Sequence, residues 1–220
     1  MKIKFYILFF SIVFSAEYSQ KYYNAMDKGI QMFSLCESEE DFLKTSNYFY
    51  RISQVVKNDW LSSYYYAYSN TSLSMMQDDP DIKELYLDKA FEIIAPFDTL
   101  AIEYSDSVAL SEIHTLKALI YVGKIFINPM VNGMKYGPLS ESSIKKAISY
   151  CPINPRPYYL NGQSKFYTPS AFGGGMDKAI PLLKKSLDNY KIFEAKKYWP
   201  NWGEEKCQSL YNEAINNAEK

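Results

Sequence analysis

One histidine, His114, and three cysteines, Cys36, Cys151 and Cys207, are all the imidazole and thiol ligands that this chain of 220 residues offers a metal. A lone imidazole excludes any two-histidine zinc site. The cysteines stand too far apart for the CxxC spacing of a redox or zinc motif. No GxSxG elbow or cysteine-protease signature is present, and no glycine-rich loop is followed by the Lys-Ser/Thr of a phosphate-binding loop. Strand-type alternation of apolar and polar residues is missing over any useful length. A basic excess is missing too: 24 Lys and Arg against 25 Asp and Glu give a net charge of −1, which argues against a nucleic-acid partner.

The start of the chain does have a long apolar run. In MKIKFYILFFSIVFSAEYSQ, Lys2 and Lys4 precede apolar residues from Phe5 to Phe14, and the small residues Ser15 and Ala16 follow. That is the layout of a secretory signal peptide, with cleavage expected near Ser15 or Ala16 and residues 1–16 removed. The run is shorter than the roughly 20 apolar residues of a membrane span. No cysteine follows it closely enough for a lipoprotein anchor. A secreted or periplasmic protein without stable membrane insertion is expected, its 22 basic residues facing 25 acidic ones for a net charge of −3. In an oxidising compartment one cysteine pair can bridge. The alternative is three ordinary half-buried thiols, and the spacing chooses no pair.

From residue 17 onward apolar residues recur at helical spacing, so residues 17–220 are read as a single all-α domain. The spacing predicts helices at 17–36, 39–57, 60–77, 81–96, 108–127, 139–150, 156–167, 176–193 and 203–218. Asp79-Pro80, Asn128-Pro129, Gly137-Pro138, Asn154-Pro155, Thr168-Pro169 and Trp199-Pro200 fall between them, where proline ends or starts a helix.

Short connections between so many helices prompt a search for a repeat. Ser140, Ile144, Ala147 and Pro152 stand at the offsets of a tetratricopeptide second helix. A count of roughly 34 residues brings Tyr158 and Gly162 to the large and small positions of the next unit. Ala179, Leu183 and Ser186 restore the spacing five residues late, after an insertion from Pro169 to Gly175. Thr45, Phe49, Ile52, Ala67, Leu87 and Ala90 fit the same pattern, with a short insertion at Asp78 to Asp81. NPMVNGMKYGP (128–138) reads as a further insertion loop.

On these residues the chain resembles tetratricopeptide-repeat-like (TPR-like) helical proteins. The resemblance implies a right-handed α-solenoid of about four degenerate helix pairs and a C-terminal capping helix. More narrowly, NPMVNGMKYGPL, NPRPYYLNGQSKFYTPSAFGGGMDKA and PNWG are similar to segments of uncharacterised, signal-peptide-bearing bacterial TPR-like proteins. FGGG resembles a loop of tetratricopeptide subunits of some periplasmic solute transporters. Neither resemblance carries a catalytic residue.

Aromatic residues are the plentiful component, with 21 Tyr, 13 Phe and 3 Trp. In the TPR-like geometry the first helix of each pair lines a concave face, which here brings Tyr64, Tyr68, Tyr159, Gln163 and Phe166 to a groove. Tyrosines there suit a peptide or sugar-like partner. Gly173, Gly174 and Gly175 stand before a helix start, where free N–H groups can receive an anion, although a plain turn is the competing reading. His114 is expected as a core or surface histidine without a partner. Glu37, Glu39, Glu40 and Asp41 read as helix caps, and Asp78-Asp79-Pro80 as a turn. In YWPNWGEEKCQSLYNEA the Trp pair is expected to cover the last repeat.

The expected function is a non-catalytic scaffold, not an enzyme, without a cofactor or metal. It would bind a protein or peptide of the cell envelope, or a small solute, through an aromatic concave face. A small hydrolase with its site in the helical groove, or a structural subunit of an envelope complex or solute transporter, are the alternatives.

Overall fold

The computed structural model describes residues 20–98 and 106–218, and the described chain is all helical. The signal-peptide reading of 1–16 lies outside the described residues. After α1 (20–34) come α2 (Glu39–Val55), α3 (Trp60–Met76), α4 (Pro80–Ile94), α5 (Ser107–Ile127), α6 (Pro129–Tyr150) and α7 (Pro155–Tyr167). A single 3-10 turn, Ser170–Phe172, precedes α8 (Met176–Tyr190) and α9 (Glu204–Ala218).

Helix starts follow local chemistry, because the first N–H groups of a helix need acceptors. Ser38 and Asp41 form a capping box on α2, and Asp59, Asp79 and Asp106 cap α3, α4 and α5. Asn128 and Asn154 do the same for α6 and α7, each followed by a proline whose missing N–H costs nothing at that position.

Residues 129–138, expected as a loop, are the first turns of α6. Asn128 starts the helix there by accepting from the Val131 amide. Pro138 sits inside the helix, where it removes one backbone bond, on a stretch whose residue four positions earlier, Met134, is exposed. The early turns are tied back to α5 where Asn132 Nδ2 donates to the Lys124 carbonyl (2.7 Å) and Tyr136 stacks on Tyr121 (6.1 Å between centroids).

Consecutive helices pack in antiparallel fashion: α2 and α4 flank α3, α5 lies on α6, α7 on α8, and α9 on α8. One apolar cluster joins Phe49, Tyr64, Leu87, Ile113 and Leu116, and a second joins Ile144, Leu160, Leu183, Cys207 and Ala214. The small residues that the repeat spacing singled out are buried at the crossings: Ala67, Ala90, Ala147, Gly162 and Ala179. A methyl on Gly162 would fall 2.7 Å from Leu183 carbons, so the close approach of α7 and α8 requires glycine.

A buried ion pair holds the two halves together. Arg156 Nε donates to both carboxylate oxygens of Glu112 at 3.0 and 2.9 Å, and Asn154 Nδ2 donates to the same carboxylate (2.8 Å) and to Ser111 (2.9 Å). The two charged side chains are 0% and 1% exposed. All three cysteines are unpaired.

Candidate functional site

The aromatic face of α3 is occupied by the chain itself. Residues 191–203, between α8 and α9, form a strap that returns across Trp60, Tyr64, Tyr65 and Tyr68. Trp199 meets Trp60 edge-on at 5.1 Å, and Trp202 lies 5.2 Å from Tyr68. Trp202 Nε1 donates to the Tyr64 hydroxyl (2.8 Å), and the Tyr65 hydroxyl donates to the Tyr198 carbonyl (3.0 Å). At its far edge the strap reaches α1, where the Tyr198 hydroxyl donates to Asp27 (2.8 Å).

The expectation that Tyr64 and Tyr68 line an open groove is therefore corrected: Tyr64 is wholly buried and Tyr68 half-buried. Burial pushes the Tyr64 phenol well above its ordinary range, so it stays protonated. The physical reason is area, since large rings gain more from covering one another than from facing water. Trp199 covers α3, in the first half of the chain, whereas Trp202 touches α3 and also packs on the C-terminal cluster, where the Tyr190 hydroxyl donates to its carbonyl (2.9 Å).

Two shallow, open concavities lie near the other end of the strap. One, of about 380 Å³, runs between α7 and α9 and is lined by Tyr159, Gln163, Tyr167, Lys206 and Leu210, with Glu205 and Glu213 at its wall. The second, of about 310 Å³, is lined by Phe166, Tyr167, Thr168, Pro169, Gly175 and Met176. Tyr167 belongs to both, is 65% exposed, and takes the Phe166 ring edge-on at 5.0 Å. Gln163 Nε2 donates to the Tyr159 hydroxyl (3.2 Å), whose pKa burial raises to about 12.

Of the residues singled out in the sequence, Tyr159, Gln163, Phe166 and Gly175 line these clefts. Tyr167 and Lys206 were missed. Tyr167 was within reach, because Tyr159, Gln163 and Tyr167 follow the four-residue spacing of one helix face. Lys206 carried no signal, since its place depends on α9 packing beside α7.

The three glycines form a turn. Their amides are already taken by backbone carbonyls: Gly173 donates to Ser170, Gly174 to Pro169 and Gly175 to Lys165, at 3.1, 3.2 and 2.9 Å. Gly173 and Gly175 have φ of 85° and 115°, where L side chains are strained. A methyl on Gly174 would lie 1.8 Å from the Thr168 carbonyl oxygen, which leaves no room for one.

His114 is 4% exposed, stacks on Tyr150 with centroids 5.6 Å apart, and lines neither cleft. Its Nε2 lies 3.8 Å from Asp98, whose other oxygen accepts from Lys117 (2.6 Å). Burial lowers its pKa to about 4, and Lys117 adds to this against the opposing pull of Asp98. It is a neutral core histidine. Among the described residues no group of three or more His, Cys, Asp or Glu is placed to hold a metal ion, and no helix is long and apolar enough to cross a membrane.

The class these features define is a helical protein with an aromatic-walled lateral cleft. No known family's profile matches the chain, and no curated protein sequence does. Among solved structures it is similar to the HusA haemophore from Porphyromonas gingivalis, at 27% identity and a TM-score of 0.77, over 90% of this chain and 95% of that one.

Proposed function

We propose that this chain is a non-catalytic, secreted or periplasmic binding protein, a TPR-like solenoid whose cargo is haem or a related flat tetrapyrrole. The cargo would lie against Tyr167 in the paired clefts. The observation that carries the reading is the likeness to a haemophore over nearly the whole length of both chains. An apolar leader at the start of the sequence supports export.

The clefts have the chemistry such a cargo needs. A tetrapyrrole presents two broad aromatic faces and a carboxylate-bearing edge. Tyr167, Phe166, Tyr159 and Met176 supply flat or polarizable apolar wall, and Lys206 supplies a cation for a carboxylate. Imidazole ligation of iron is not available, because His114 is buried elsewhere. The exposed cleft residue whose side chain could ligate an iron is Tyr167, through its hydroxyl, with the Met176 thioether a second donor at the cleft wall.

Titration with haemin, followed by absorbance in the Soret band, tests the reading. One-to-one saturation with a shifted band is expected, and Tyr167→Ala should weaken it by about tenfold, or ~1.4 kcal/mol. A flat titration, with neither haemin nor metal-free protoporphyrin raising the melting temperature, would remove the tetrapyrrole reading.

A further inference from the structure

One end of the molecule carries exposed apolar side chains that no other described residue covers. Helices α3 and α5 finish there and α4 and α6 begin there, on the two tight connections at 77–79 and 128. Contacts tie the four helices together at this end, and Met130 and Met134, one helical turn apart with Val131 between them, share one face of α6. A methyl on Gly123 of α5 would fall 3.3 Å from Met75 Cε of α3. Lys124 Nζ lies 3.6 Å from Glu84 of α4 and also meets Asp88, while its carbonyl accepts from Asn132 of α6.

At this end Met76, Phe126, Met130, Val131 and Met134 are all exposed, Met130 and Met134 by 89% and 82%. Scattered apolar residues on a surface mean little, whereas a contiguous group marks an interaction site. Methionine suits such a site because its unbranched, polarizable side chain adapts to a partner's shape. Gly133 and Gly137 lie within the same helix, each costing about 1 kcal/mol against alanine. Nothing inside the protein requires them, since a methyl at either position would meet no other atom within 4 Å.

Charge around the patch selects the partner. Lys124 is taken up by Asp88 and Glu84, and Lys135 lies over the Tyr136 ring at 4.7 Å. The α3–α4 connection adds three exposed carboxylates, Asp78, Asp79 and Asp81, against Lys83 alone. The rim is acidic. Anionic lipid is repelled by it, and a second copy docked two-fold on the same face would set acid against acid.

We propose that this end docks a protein segment that presents large apolar side chains flanked by lysine or arginine. None of the cleft residues takes part, so the docking site stands apart from the tetrapyrrole reading.

A synthetic amphipathic peptide of leucine and lysine is the probe, titrated calorimetrically into the purified protein. Binding is expected, weakening as salt is added. Met130→Ser with Met134→Ser, both exposed and so tolerated by the fold, should reduce affinity about tenfold or more. Asp78→Asn with Asp81→Asn should reduce it about threefold, and Tyr167→Ala should leave it unchanged. Absence of binding, or binding indifferent to the serine pair, overturns the proposal. So does a preference for anionic phosphatidylglycerol vesicles, a protein dimer that the serine pair dissolves, or loss of the haemin Soret shift in the serine pair. Peptide binding without haemin binding would sink only the tetrapyrrole reading, and the reverse would sink only this one.

Discussion

Trp202 Nε1 donates to the Tyr64 hydroxyl at 2.8 Å across 138 positions of sequence, and the two partners are unequally buried. The Tyr64 side chain is wholly buried, whereas Trp202 is only partly buried. Trp202→Phe keeps a ring against Tyr68 but strands a buried hydroxyl, at a cost of about 1–3 kcal/mol. Tyr64→Phe removes the fully buried partner and leaves the N–H of a residue that is only partly buried, so a smaller loss of ~1 kcal/mol or less is expected. Urea unfolding of both variants measures the difference. Equal losses would show that ring packing alone holds the strap.

The Glu112–Arg156 pair makes a stronger demand. Glu112→Gln leaves a guanidinium buried without its counter-charge, and the expected loss is about 3–5 kcal/mol. That is a large part of the 5–15 kcal/mol typical of a folded domain. The double variant Glu112→Leu, Arg156→Met removes both charges and should be more stable than the single variant. Thermal and urea unfolding of the singles and the double give the coupling directly. A double variant as unstable as Glu112→Gln would mean that Asn154 and Ser111 depend on the pair for their own placement.

Much of the helical framework was legible because helix ends depend on local residues. Asp79-Pro80, Asn128-Pro129 and Asn154-Pro155 announce an N-cap and first turn within two positions, and all three start helices. Gly137-Pro138 looked like a boundary for the same reason, yet α6 runs through it. The stretch lies on the surface, with Met134, Lys135, Pro138 and Leu139 exposed, so no tight packing forces a break. The FGGG turn was legible from the late return of the repeat spacing. The strap over α3 was not, since the pairings Trp202–Tyr64 and Trp199–Trp60 join residues more than a hundred positions apart and leave no period in the sequence. Once that face is filled, the open surface moves to Tyr167 and Lys206, which only the placement of α9 beside α7 reveals.

Acid should loosen the fold through His114. The folded protein holds this imidazole neutral, with burial lowering its pKa from 6.5 to about 4. The unfolded chain therefore binds the extra proton first, and stability falls as pH drops from about 6.5 toward about 4. Above pH 6.5 both states are neutral at this site and its contribution is flat. His114→Phe retains a ring against Tyr150 and removes the titration, so its urea midpoint should fall less between pH 7 and pH 4.5 than that of the parent. Parallel pH profiles would show that the carboxylates, and not this histidine, govern acid stability.

The first cleft holds one cation, Lys206, beside two carboxylates, Glu205 and Glu213. A cargo with carboxylate groups meets attraction from the lysine and repulsion from both glutamates. At an effective dielectric near 20, unit charges a few ångströms apart interact by about 4 kcal/mol, and exposure to salt reduces this several-fold. Glu205→Gln with Glu213→Gln is accordingly expected to tighten haemin binding by about threefold or more at low salt, with the gain fading as salt is added. Lys206→Gln should weaken binding by a similar factor. The decisive comparison is with a tetrapyrrole whose carboxylates are esterified: its affinity should be indifferent to all three substitutions, because without the charged edge only the Tyr167 and Phe166 walls remain to hold it. If the ester responded as haemin does, the glutamates would be acting through the shape of the cleft, and the cargo's carboxylate edge would have to lie away from α9.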